Sequence, residues 1–290
     1  MVSSVAALSS LALDRFKYSH MYTTMGLLGV LIAARGTSLP VANLVCVVSI
    51  TIATTGLYIL NDVFDLEIDR VVHPERALPR GLLSVRQAAL AAIVLMVIGP
   101  AVSFYVDLRS GVLVATVAVL GVLYSAPPVR LRRFPVIPSV IIGLFVLLSF
   151  LAGAMFSHRP LTGKLVFGAL LLWALFLCCS MAKDLGQEEG DAVDGVRTLP
   201  LILGSDRAFI LTSAIVCSSF VFAILFILLF DLHWILVGVT IMLMFLEAFS
   251  LRRFWRARRT MDAPKWYQRS FMVFVVLQLC LVGGALRTFL

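Results

Sequence analysis

Long apolar runs fill most of this chain and are separated by short charged segments. Of its 290 residues, 61% are hydrophobic and only 14% are charged, and the mean hydropathy is +1.02. Soluble domains are about 45–50% apolar and about 25% charged. A run of about 20 apolar residues crosses a bilayer as a helix, which pairs its backbone polar groups internally. The composition therefore predicts an all-α, multi-pass membrane protein.

Nine runs have the length and apolar character of membrane spans. The fourth is short and ends at Pro127-Pro128, and only Asp231 and His233 separate the seventh from the eighth. Nine spans place the two termini on opposite sides of the membrane. The predicted spans cover residues of about 18–34, 40–60, 86–106, 110–125, 136–156, 164–182, 208–230, 233–250 and 270–289.

Positive charge is distributed unevenly among the loops. Nineteen of the 24 Lys and Arg residues fall in the N-terminal segment and in the loops after spans two, four, six and eight. Cytoplasmic loops are enriched in Lys and Arg. We therefore predict a cytoplasmic N-terminus, cytoplasmic loops at these four places and a C-terminus on the opposite side. The net charge of +8 is then a topology signal, and we expect no nucleic-acid partner.

Acidic residues are concentrated in two of these loops, which contain eleven of the sixteen Asp and Glu residues. After span two, Asp62, Asp65 and Asp69 are spaced i, i+3 and i+7, so they share one face of a helix. Like charges packed in this way repel unless a cation lies between them, and Mg²⁺ prefers oxygen ligands of this kind. The alternative is a solvated helix end that Arg70 and Arg76 balance.

A second acidic segment follows span six. Asp184, Glu188 and Asp191 are spaced i, i+4 and i+7 and again share a helical face. Two such faces would hold two or three Mg²⁺ ions around a diphosphate, which leaves more readily when metal ions neutralise its oxygens. Taken alone, this segment also fits a solvated, glycine-flanked loop.

Three segments, in this order along the chain, resemble the signatures of the UbiA family of intramembrane prenyltransferases. They cover the chain from about residue 61 to residue 204, and the nine-span count also fits that family. The three segments are Asn61-Asp62-x-x-Asp65-x-x-x-Asp69 with His73 to Gly81, Tyr124 to Arg133, and Lys183-Asp184 to Asp191 with Thr198-Leu199-Pro200.

The resemblance implies a role for each of these side chains. Mg²⁺ on a prenyl diphosphate would be held by Asp62, Asp65 and Asp69 from one side and by Asp184 and Asp191 from the other. Asn61 would form a hydrogen bond near the reacting centre, and Tyr124 would lie close to the allylic carbon or the acceptor. The diphosphate would be bound by Arg76, Arg130 and Lys183.

Several of these roles have alternatives. Gln187 stands where the family usually has an acid, so Glu188 either supplies that metal ligand or the ligand is lost, and the number of Mg²⁺ ions stays open. An ion pair with Glu75 or Asp69 is the alternative for Arg76. Binding of lipid headgroups is the alternative for at least two of Arg130, Arg132 and Arg133. A position in the interfacial aromatic belt is the alternative for Tyr124.

These observations lead to one hypothesis and two rivals. We expect a single domain over residues 1–290, a nine-helix bundle around a central cavity, with active-site loops at about 61–85, 126–135 and 183–207. It would be a Mg²⁺-dependent enzyme that transfers a prenyl group from an isoprenyl diphosphate to an aromatic or lipid-like acceptor within the bilayer. The rivals are a UbiA-type terpene cyclase, which needs no acceptor, and a cation-coupled transporter, which would place its acids nearer the membrane midplane.

Overall fold

The computed structural model describes residues 4–35, 41–72, 74–158, 160–185, 198–257 and 263–287. These residues form α-helices and two short 3-10 helices, Leu131–Arg133 and Met181–Asp184, with no strand among them, as predicted. The α-helices in chain order are α1 (Ser4–Ala33), α2 (Val41–Phe64), α3 (Leu66–Val72), α4 (Val85–Val106), α5 (Leu108–Ser125), α6 (Ile137–Met155), α7 (Gly163–Ser180), α8 (Leu199–Leu203), α9 (Ser205–Leu229), α10 (Ile235–Ala257) and α11 (Ala263–Leu286).

Seven helices of the described chain are long and apolar enough to cross a membrane, namely α2, α4, α5, α6, α7, α9 and α10. Each coincides with one of the predicted spans, and the multi-pass prediction is confirmed. The first and last predicted spans fall in α1 and in α11, whose apolar part is Met272–Leu286. The predicted break near Asp231 is also present, because α9 ends at Leu229 and α10 begins at Ile235.

Local polar contacts fix where some of the spans begin. Ser84 starts α4 with a capping box, since its hydroxyl oxygen accepts from the Gln87 amide and the Gln87 side chain accepts from the Ser84 amide. Asp107 separates α4 from α5 and caps α5 by accepting from the amide and the hydroxyl of Ser110, at 2.9 and 3.1 Å. These contacts satisfy amides that the first turn of a helix leaves unpaired.

The chain divides into two compact units. In the first unit, α2 packs against α1, α4 and α5, and in the second unit, α9 packs against α7, α8 and α10. The first acidic cluster belongs to the first unit and the second acidic segment to the second. The first unit comprises residues 1–34, 38–131 and 148–160, and the second comprises residues 35–37, 132–147 and 161–290.

A small hydrophobic core in the first unit holds the segment after α3 in place. Leu78 and Leu83 of this segment are buried, and they join a cluster that contains Leu11 of α1, Leu60 of α2 and Leu66 of α3. Burying each leucine contributes about 2 kcal/mol. This core fixes the loop that carries Arg76 close to the end of α2.

Candidate active site

The first acidic cluster lies where α2 gives way to α3. The Asp65 amide donates to the Asn61 carbonyl at 2.9 Å, and the Asp69 amide donates to the Asp65 carbonyl at 2.8 Å. The helical hydrogen-bond pattern thus continues through the junction, which keeps the i, i+3 and i+7 side chains on one side. Only 4, 7 and 5% of the surfaces of Asp62, Asp65 and Asp69 are exposed, so the three carboxylates are not a solvated helix end.

Asp62 forms an ion pair with Arg15, a residue of α1 that precedes it by 47 positions. The Arg15 Nε donates to the Asp62 Oδ2 at 2.5 Å, and the two side chains are 7 and 5% exposed. The same guanidinium lies 5.7 Å from the ring centre of Tyr18. A buried carboxylate requires such a partner, because removing one member of a buried pair costs about 3–5 kcal/mol.

Asp69 forms an ion pair with Arg76. The Arg76 Nη1 lies 2.7 Å from both carboxylate oxygens of Asp69 and 3.9 Å from Asp62 Oδ1. Of the two roles that the sequence allows for Arg76, the structure thus shows the ion pair with Asp69. The Arg76 side chain is 26% exposed and is the more accessible of the two arginines beside Asp62.

Asp65 is held by residues from α2 and from the loop after α5. The Asn61 side-chain nitrogen donates to Asp65 Oδ2 at 2.7 Å, and the Ser125 hydroxyl donates to the Asn61 side-chain oxygen at 3.0 Å. The Arg130 Nη2 lies 3.6 Å from Asp65 Oδ1. Arg130 has a φ of 42°, a left-handed conformation that is uncommon for a residue with a side chain. Asn61, Asp65 and Arg130, three predicted site residues, are therefore brought together.

Tyrosines from α1 and α2 lie beside the acidic cluster. Tyr58 lies one turn before Asp62, its hydroxyl is 3.3 Å from that of Tyr22, and its ring centre is 5.6 Å from that of Tyr18. Tyr124 lies in the last turn of α5, next to Ser125, whose hydroxyl donates to Asn61. Tyr18, Tyr22 and Tyr58 form an aromatic cluster that the sequence pattern did not reveal.

The third predicted motif is described only at its two ends, up to Leu185 and again from Thr198. Lys183 and Asp184 belong to the 3-10 helix that follows α7. The structure describes the backbone of these two residues but not their side chains. Glu188 and Asp191, together with Gln187, also lie outside the described part of the chain. The roles predicted for these residues remain predictions from the sequence.

The paired charges determine what the site can bind. Three carboxylates face three arginines, Arg15, Arg76 and Arg130, so the described part of the site is close to neutral. Among the described residues, no three His, Cys, Asp or Glu side chains form a group that could hold a metal ion. The donors themselves, buried carboxylates beside an amide, are the oxygen ligands that Mg²⁺ prefers. As donor types they suit a magnesium ion, although in this structure each carboxylate is turned to an arginine.

Arg15 is the site residue that the sequence analysis missed. In the sequence, Arg15 is one of the positive charges of the N-terminal segment that predict the topology. A signal was nevertheless present, because an arginine within a mostly apolar helix is costly unless it has a buried partner. Its partner is distant in sequence, so only the packing of α1 against α2 identifies the pair.

The helices and this site define a multi-pass membrane protein that has a cluster of buried aspartates and their arginine partners at the end of a span. The chain belongs to the UbiA prenyltransferase family, which it matches over residues 22–275. The resemblance inferred from the three motifs is confirmed, and so is the prediction of a prenyltransferase.

Individual relatives agree with this assignment. The chain is 33% identical over 194 residues to a digeranylgeranylglyceryl phosphate synthase from Methanoculleus marisnigri, covering 67% of each chain. It is 32% identical over 186 residues to the Methanopyrus kandleri protein of the same name, covering 63% of this chain and 67% of that one. The fold is similar to that of a UbiA homologue from Archaeoglobus fulgidus bound to GPP and Mg²⁺, with a TM-score of 0.72, 15% identity and coverage of 96% and 99%.

Proposed function

We propose that this protein is a Mg²⁺-dependent intramembrane prenyltransferase whose acceptor is a glycerophosphate-type lipid. The observation that carries the proposal is the set of three buried carboxylates at the end of α2, each paired with an arginine. Oxygen donors for a metal and guanidinium groups for phosphate oxygens occur there side by side. The acceptor class follows from the relatives named digeranylgeranylglyceryl phosphate synthase. An aromatic acceptor is the alternative.

In this proposal the residues of the first unit bind the donor. Asp62, Asp65 and Asp69 are the metal ligands, and bound Mg²⁺ would neutralise the charge that develops on the departing diphosphate. Arg76 and Arg130 turn their guanidinium groups to diphosphate oxygens. Asn61 is held by Ser125, so its amide has a fixed orientation beside the reacting centre.

The chemical step is a substitution at the first carbon of the prenyl chain. The bond from this carbon to the diphosphate oxygen breaks, a new bond to the acceptor forms, and the proton that the acceptor loses passes to water. The aromatic face of Tyr124 would lie close to the allylic carbon, where its electrons favour positive charge. The apolar spans would surround the prenyl chain, which gains about 0.8 kcal/mol for each CH₂ group buried.

The remaining parts of the proposal come from the sequence. Asp184, Glu188 and Asp191 would supply further metal ligands, and Lys183 a further cation for the diphosphate. The protein would have nine spans around a central cavity, with the N-terminus and the site in the cytoplasm. The charge asymmetry of the loops supports this orientation.

Release of diphosphate by the purified protein in detergent tests the proposal. Geranyl, farnesyl and geranylgeranyl diphosphates are supplied with and without Mg²⁺, and with and without a prenylated glycerol phosphate. We expect release that requires both Mg²⁺ and the acceptor. Asp62→Asn should slow it about 100-fold or more, because a ligand of the metal ion that stabilises the leaving diphosphate is lost.

The matched control is Glu67→Gln, since Glu67 lies on α3 but its side chain is 81% exposed. This variant should retain the wild-type rate. Release that yields a cyclic hydrocarbon without any acceptor would make the protein a cyclase. Equal rates for Asp62→Asn and the control would contradict the proposed donor site.

A further inference from the structure

Arg15 is positioned as a component of the site and not as an isolated membrane anchor. It is 6% exposed, and its guanidinium contacts Asp62 and the face of Tyr18. The Ser19 hydroxyl donates to the Arg15 carbonyl at 3.2 Å and lies 2.9 Å from the Thr55 hydroxyl on α2. The turn of α1 that carries Arg15 is thereby fixed against α2.

Charge balance restricts how such a site can take up a metal ion. Each aspartate already faces an arginine, and adding a divalent cation alone would leave two uncompensated positive charges in a buried region. A diphosphate brings the negative charge that offsets both the cation and the arginines. A buried charge without compensation is costly, so the cation and the diphosphate should bind together.

Arg15 is the arginine for which this restriction is strongest. Arg76 is partly exposed and exchanges its partner for water at little cost, whereas Arg15 is buried and needs an anion at all times. Tyr18 keeps the guanidinium close to the site through a cation–π contact when the carboxylate turns away. A guanidinium also matches two phosphate oxygens at once.

We propose that Arg15 is a further diphosphate-binding residue, which exchanges Asp62 for a diphosphate oxygen when the metal–diphosphate complex binds. Asp62 is then released to the metal ion. This inference rests on the proposed function, because it assigns Arg15 to the same donor site. The consequence is that Arg15 weakens binding of the metal alone and strengthens binding of diphosphate.

Binding measurements on the purified full-length protein test the exchange. Mn²⁺ serves as the probe, because its free concentration is read from its paramagnetic resonance signal, and inorganic diphosphate is the anion. Wild-type protein should bind Mn²⁺ at least tenfold more tightly with diphosphate present. Arg15→Met should bind Mn²⁺ alone about tenfold more tightly than wild type, and diphosphate about tenfold more weakly, as expected for one charge-assisted contact.

Two further variants keep the test decisive. Arg70→Met is the matched control, since Arg70 pairs with the exposed Glu67 and should leave both affinities unchanged. If Arg15→Met does not fold, Arg15→Lys retains the charge without the planar guanidinium. It should keep the wild-type affinity for Mn²⁺ alone and lose several-fold in diphosphate affinity.

Arg15→Met is expected to raise the affinity for Mn²⁺ and to lower the affinity for diphosphate. These opposite effects distinguish the exchange from a structural role. A folded Arg15→Met variant that loses affinity for both ligands, or that binds diphosphate as wild type does, would overturn the assignment of Arg15. Arg15→Lys with wild-type diphosphate affinity would do the same. Wild-type protein that binds neither Mn²⁺ nor diphosphate would instead refute the proposed function itself.

Discussion

Replacing Gly29 of α1 with alanine adds one methyl group at a point where two helices touch. A Cβ at this position would lie 2.0 Å from the carbonyl oxygen of Phe150 and 2.9 Å from the amide nitrogen of Ala154, both on α6. Real Cβ atoms essentially never come within 3.0 Å of another heavy atom, so the two backbones must separate locally by about 1 Å. The contact is with backbone, and no flexible side chain can move aside.

The net effect is the difference between two terms. Overpacking of this kind costs about 1–3 kcal/mol, and a rigid backbone contact belongs at the upper end. Replacing a helical glycine with alanine stabilises the helix itself by about 1 kcal/mol. We therefore expect Gly29→Ala to lower the free energy of unfolding by about 2 kcal/mol.

Unfolding in mixed detergent micelles, with increasing denaturing detergent, measures this difference. The control is Gly238→Ala in α10, where an added Cβ meets nothing within 4 Å and should raise stability by about 0.5–1 kcal/mol. A Gly29→Ala protein as stable as wild type, alongside a stabilised Gly238→Ala protein, would refute the close approach of α1 and α6 at this point.

Three other predictions concern single side chains. Tyr124→Leu should lower turnover about 30-fold while Tyr124→Phe stays near wild type, because an aromatic face near an allylic cation is worth about 2 kcal/mol. Equal activity of the two variants would contradict a role for the ring, and Tyr105→Leu, a substitution at a 93% exposed residue, is the control. Asp107→Ala should cost about 1 kcal/mol at pH 7 through loss of the α5 cap. Burial alone would raise the pKa of Asp107, but hydrogen bonds from Ser110 and Arg109 outweigh it and hold the pKa below its ordinary value. The cap therefore stabilises the fold above the unfolded-state pKa and is lost as the pH falls through the folded-state pKa, so thermal unfolding should show the gap to wild type closing in acid. Ser84→Ala should cost about 1 kcal/mol at any pH between 5 and 8, since no titrating group forms the capping box; a pH-dependent loss would contradict this.

The sequence predicted most of the architecture because its signals are local. Apolar runs of the right length identify spans wherever they occur, and seven of the nine predicted spans were recovered as apolar helices of sufficient length. The i, i+3 and i+7 spacing of Asp62, Asp65 and Asp69 placed them on one side of a helix, and the helical hydrogen bonds through the α2–α3 junction preserve that arrangement.

The partners of these carboxylates could not be predicted in the same way. Arg76 is seven residues from Asp69, and the sequence analysis did consider that pair. Arg15 and Arg130 are separated from their aspartates by 47 and 65 positions, which no periodicity connects. Tyr18 and Tyr22 also meet Tyr58 only because α1 packs against α2.

Local features of the sequence are thus sufficient to predict a helical membrane protein with two acidic segments and the motifs of a prenyltransferase. Hydropathy, helical spacing and motif order are all properties of short stretches of chain. The pairing of Asp62 and of Asp65 with distant arginines is visible only in the folded chain. Burial makes an isolated carboxylate so costly that a partner must be present. Which residue serves as that partner depends on which helices pack together, and this is not encoded in any single segment.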